Sequence, residues 1–327
     1  MSDIRCTLEE RQIPIYFGAV AIALVTALLV PGTTALEGAI NPALALMLYV
    51  TFLQVPLAEV GRSFASGRFL TALVLANFVA VPLLVAAMLP LMPADALLRF
   101  GILLVLLAPC IDYVVTFAHL GRADAKLLLA ATPSLLIAQM LLLPVYLKVL
   151  LGEDAAALVQ PEPFVHAFIW LIGVPLVLAG VTQLWASRTT VGRQTSSALS
   201  LLPVPATALV LFIVVAAVLP QLGSATNSAL AAVPFYVAFA CLAPIMGWLV
   251  AKALGLQPPA GRAVAFSVGT RNSLVVLPLA LAVPGALPVL PAIIVTQTLV
   301  ELLAELAYVR WISRFGAHGA RADSSVS

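Results

Sequence analysis

Four charged side chains, Asp112, Arg271, Glu301 and Glu305, fall inside long apolar stretches of this 327-residue chain. At the centre of a bilayer each costs ~2.5–3.5 kcal/mol on insertion scales, so each is expected to face a protein interior and to have a partner. An arginine does not deprotonate there, so Arg271 must be paired or hydrated. Asp112 is its first expected partner and Glu301 its second, and the Asp112–Arg271 pair reads either as a charged gate or as a static salt bridge. Gln297, Glu301 and Glu305 are spaced i, i+4, i+8 and share one helical face. Glu301 is the candidate coupling residue for a proton, with Asp112 beside it in that role. Glu305 lies nearer the chain's end and is expected to pair with Arg310 or to snorkel. Cys110, Asp112, Arg271 and Asn272 are the candidate substrate contacts, with Gln139, Thr270, Gln297 and Glu305 as supporting polar groups. No Ser-His, paired-Asp or His-rich metal constellation is present, so catalytic residues, metal ligands and a cofactor are not expected. Cys6, Cys110 and Cys241 have no CxxC spacing, which gives neither a disulfide framework nor a zinc site.

These residues must be positioned by membrane helices. The chain is 63% hydrophobic and 9% charged, with a mean hydropathy of +1.13, whereas soluble chains carry roughly 25% charged residues. The apolar runs suit helices of ~20 residues and lack the ~10-residue alternation of a membrane barrel. The sequence predicts ten spans, at 12–31, 39–57, 67–91, 97–120, 125–151, 164–186, 199–219, 228–254, 260–283 and 286–313. With both termini cytoplasmic, thirteen of the sixteen Lys and Arg residues fall on the inner side, as the positive-inside rule requires. The expected location is therefore a multi-pass protein of the plasma membrane or cell inner membrane. A lipid bilayer and a small-molecule or oxyanion substrate are its expected partners, with no nucleic acid, and the oligomeric state is left open. The polar segment Met1 to Glu10 does not read as a cleavable signal.

The second half echoes the first. Pro42 to Leu46 matches Pro205 to Leu209, Pro82 matches Pro244, Arg99 matches Arg262, and Pro133 to Gln139 matches Pro291 to Gln297. Five spans per copy make the copies inverted, so the expected domains are two repeats, 1–162 and 163–327. Inverted repeats with broken helices near the midplane are a transporter arrangement. Ala108 to Asp112 in span four and Gly269 to Ser273 in span nine are the predicted breaks, because proline removes a backbone donor and the Gly-Thr and Asn-Ser runs hold helix poorly.

The run from Pro109 to Asp124 (PCIDYVVTFAHLGRAD) and the segment Ser267 to Ser273 (SVGTRNS) resemble the crossing segments of the bile acid/sodium symporter superfamily. The resemblance implies an all-α integral membrane protein with helices four and nine broken and crossing. It also implies a core of helices three to five and eight to ten that moves against a panel of helices one, two, six and seven. Sodium-coupled members carry a Ser-Asn pair in helix four and a Glu and a Gln in the helix-nine motif. Here Val114 and Val115 stand at the first pair and Ser267 and Arg271 at the second, so a guanidinium stands where a hard cation is held. Cys110 matches the cysteine of arsenite-permease members, and Thr298 to Glu301 is similar to their Pro-Leu-Val-Glu run. Their Asn-Asn-Phe-Glu motif is here Arg271 to Leu274. The resemblance implies an arsenite or antimonite efflux permease, proton-coupled rather than sodium-coupled. The alternative is a transporter of a small organic anion with Arg271 as counter-charge.

Overall fold

In hydrocarbon a single segment satisfies all its backbone N–H and C=O groups only as a helix, and the computed structural model is built of helices throughout. It describes residues 7–8, 11–54, 67–110, 113–152, 165–166, 169–281, 283, 285–286 and 288–316, so Asp112 lies outside the described residues. In chain order the helices are α1 (Gln12–Leu29), α2 (Glu37–Gln54), α3 (Gly67–Leu91), α4 (Ala96–Leu106), α5 (Val114–Leu120), α6 (Ala125–Leu151), α7 (Val174–Arg188), α8 (Thr190–Leu199), α9 (Pro203–Val218), α10 (Leu222–Ala253), α11 (Pro258–Gly269), α12 (Ser273–Leu281) and α13 (Val289–Trp311).

Among the described residues six stretches are long and apolar enough to cross a bilayer, and α8 with α9, bent by 43°, makes a seventh if taken together. The ten predicted spans are thus not all continuous helices. Spans four and nine are each split in two. At 1.5 Å per residue, α4 with 11 residues and α11 with 12 reach roughly 17 Å, well short of the ~30 Å hydrocarbon layer. Span six is described as helix at residues 165–166 and from Ile169 onward.

The chain divides into two units. The first comprises Met1–Pro56, Leu158–Ala229 and Leu277–Val295. Within it α9 packs on α1 and α2, and α7 packs on α2 and α8. α1 buries Tyr16, Val20 and Ala23, one stripe at helical spacing, and exposes Ile22, Val25, Leu28 and Leu29. That apolar outer face is suited to lipid and not to water. Among its polar ties, Tyr49 and Thr182 share a hydroxyl hydrogen bond of 3.0 Å, and Gln183 Nε2 donates to Phe52 O at 3.1 Å.

The second unit comprises Leu57–Ala157, Leu230–Val276 and Thr296–Ser327. Two of its helices start on aspartate caps, which satisfy an orphan N–H of the first turn. Asp95 accepts from Leu98 N at 2.7 Å and Asp124 from Leu127 N at 3.1 Å. α11 lies against α3, α5 and α6. The closest approach is at Gly121, where an added Cβ would sit 2.2 Å from the Phe266 ring.

Candidate functional site

The site is built in the second unit by the two helix breaks. α4 stops at Leu106 two residues before Ala108 and Pro109, and α11 stops at Gly269, with α12 resuming at Ser273. The freed backbones pair with each other as an antiparallel bridge between Pro109 and Arg271. Cys110 N donates to Thr270 O at 3.2 Å and Asn272 N donates to Ala108 O at 2.8 Å. Each break thus supplies what the other lacks, which is how non-helical backbone survives away from water. Gly269 allows the close approach: a Cβ there would lie 2.8 Å from the Pro244 ring and 2.9 Å from Tyr308.

Glu301, on α13, is held at this bridge. Tyr113 Oη donates to its Oε1, while Arg271 N at 2.6 Å and Gln297 Nε2 at 2.5 Å both donate to its Oε2. Three donors on one buried carboxylate connect α13, the α11–α12 break and the segment just after the α4 break. Glu305, one turn further on, is fully buried, and its Oε1 accepts from Thr270 Oγ1 at 2.5 Å. This corrects the alternative that Glu305 pairs with Arg310 or snorkels: its helix face turns inward against the break.

Arg271 has no exposed surface. Its backbone meets Glu301, but its guanidinium does not. Nη2 donates to Asn77 Oδ1 at 2.9 Å, Ser267 O at 2.7 Å and Val268 O at 2.7 Å, and Nη1 to Leu106 O at 3.3 Å. The Phe239 ring lies 5.3 Å from the guanidinium carbon, within cation–π range. Among the described residues, then, its partners are neutral oxygens and one ring, with Asp112 outside them.

Cys110 is a buried thiol at the break. Asn272 is buried with Oδ1 3.4 Å from Val275 N, and its Nδ2 has no partner among the described residues. Gln139 is buried with neither amide atom bonded there, and it does not join the cluster. Gln297 keeps Oε1 unbonded and, with Tyr236, Phe239, Gly269 and Glu301, bounds a cavity of about 10 Å³, room for one water. His119 is exposed.

Three contributors escape sequence reasoning. Tyr113 sits in the quoted motif without a role, Ser267 was read only as a replaced ligand, and Asn77 was not singled out. Asn77 Nδ2 donates to Ser267 Oγ at 3.0 Å from a π turn at Ala76–Ala80. The one available signal was a single amide in the apolar run 67–91, together with the tendency of π turns to occur at functional positions.

The family model for the Sodium Bile acid symporter family matches residues 41–228, more than half of the chain. No match is found among curated proteins.

Proposed function

The chain belongs to the sodium bile acid symporter family, and from that premise we propose a secondary transporter that exports arsenite or antimonite by alternating access, driven by protons and not by sodium. One observation carries the reading: two helix breaks are joined edge to edge around a buried carboxylate that holds three donors. Broken helices of this kind are where transporters bind substrate and coupling ions.

In this mechanism Glu301 carries the proton. It connects both breaks and α13, so adding a proton there removes an acceptor from Tyr113, Gln297 or the Arg271 backbone and loosens the crossing. Cys110 and Asn272 contact the substrate. Arsenous acid is small, neutral near pH 7 and thiophilic, and one thiol is a soft ligand that binds without trapping. Asp112 is the second acid available to a gate. The ten spans form two inverted repeats, 1–162 and 163–327, with both ends cytoplasmic. Spans one, two, six and seven act as panel and spans three to five and eight to ten as moving core.

Sodium does not fit this chain. At the helix-nine position Arg271 itself takes the surrounding oxygens, Asn77 Oδ1 and the carbonyls of Ser267, Val268 and Leu106, and Val114 and Val115 add no side-chain oxygen. No step therefore runs through sodium. A small organic anion with Arg271 as counter-charge is the second reading. It is favoured by Arg271 Nε, a donor with no acceptor among the described residues.

The test is arsenite accumulation in a transport-deficient, arsenite-sensitive host expressing the chain. Lower accumulation that is lost in Cys110→Ala and on collapsing the pH gradient supports the proposal. Unchanged accumulation with the protein present in the membrane contradicts it, and competition by small carboxylates would then favour the anion.

A further inference from the structure

The acceptors around the Arg271 guanidinium have a common origin. In an uninterrupted helix Ser267 O would accept from Arg271 N, Val268 O from Asn272 N, and Leu106 O from Cys110 N. Here Arg271 N donates to Glu301, Asn272 N to Ala108 O and Cys110 N to Thr270 O. The breaks therefore release three carbonyls at the C-terminal ends of α11 and α4, and all three turn to one guanidinium. Helix C-termini each carry roughly half a negative charge, so two of them facing one point make a cation site. Nη2 has two hydrogens yet three oxygens at 2.7–2.9 Å, more acceptors than it can satisfy. The described oxygens are neutral, which suits one positive charge and not two. The Phe239 face completes the enclosure.

We propose that this is a monovalent-cation cage filled permanently by a tethered cation, and that shortening Arg271 opens it to a free one, sodium or a guanidinium. The inference rests on the reading of the chain as a transporter but not on its substrate. A cation that never leaves cannot couple its own gradient to flux. It serves to hold the two breaks against α3 through the whole cycle, and the driving ion must bind elsewhere.

Thermal unfolding of the purified full chain tests this without any substrate. Wild type, Arg271→Ala and Arg271→Met are compared in choline chloride, in sodium chloride and in millimolar methylguanidinium. Arg271→Ala is expected to melt lower than wild type and to regain several degrees, saturably, with sodium or methylguanidinium. Wild type, with the cage filled, and Arg271→Met, with an apolar chain in it, are expected not to respond. An Arg271→Ala variant that responds to neither cation more than wild type overturns the proposal. If it cannot be purified, Arg271→Lys decides: an ammonium in the cage should leave the protein more stable than Arg271→Met, and the reverse order overturns the proposal. Failure of arsenite transport leaves these results unaffected, so the two readings fail separately.

Discussion

Glu301 satisfies three donors with two oxygens, and this makes substitutions around it informative. Tyr113→Phe deletes one donor without changing shape. It is expected to cost about 1.5–3 kcal/mol, the range for hydrogen bonds to charged groups, read as a lower melting temperature with expression retained. Glu301→Gln must turn its own N–H₂ toward one of those donors. It is expected to reduce gradient-driven flux to near background while leaving exchange of substrate across the membrane, measured as counterflow, in place. Normal gradient-driven flux in that variant would remove Glu301 from the coupling role. The charged residues in this cluster were legible because a charge in an apolar run needs a reason. Asn77 was less so, since its partner Arg271 is 194 positions away and the only local sign is a single amide in an apolar run. For Glu305 the sequence leaves two readings open for a related reason: its position near the helix end suggests an exit to the interface, but the face it occupies packs on Thr270.

Helix breaks are the element most visible in the sequence. Ala108 and Pro109 stop α4, and Gly269 with Thr270 stops α11, both within a residue or two of the predicted positions. Their pairing in space was expected from the resemblance, but the exchange of hydrogen bonds that releases the carbonyls to Arg271 was not readable, because it depends on which strand edge meets which. Gly269→Val tests the tightness of the crossing. Its branched side chain must displace Pro244 or Tyr308, and Tyr308 is tied through its hydroxyl to Ala240 O at 2.6 Å. Overpacking of this kind costs about 1–3 kcal/mol. The variant is expected to melt lower and to lose transport, whereas Gly38→Ala, at a position with nothing within 4 Å, should do neither.

For the molecule as a whole, the proposed span count comes from charge placement and not from helix length. Length fails as a guide because spans four and nine are broken, span seven is found in the bent pair α8 and α9, and span six is described only in part. Single cysteines added at Ala94 and Ser197, in a variant lacking Cys6 and Cys241, separate the possibilities. An impermeant thiol reagent applied outside should label position 94 and not 197. Labelling of both or of neither from outside would discard the ten-span topology. The family match ends at residue 228, so the Gly269 to Ser273 break and Glu301 lie beyond it, and their proposed roles rest on the residues themselves and on the geometry of the crossing. The most direct measurement is arsenite flux in proteoliposomes of the purified protein under an imposed pH gradient, with sodium present or replaced by choline. The account predicts flux that follows the pH gradient, ignores sodium and disappears in Cys110→Ala and Glu301→Gln. Flux that requires sodium, or arsenite that does not move under any gradient, would contradict it.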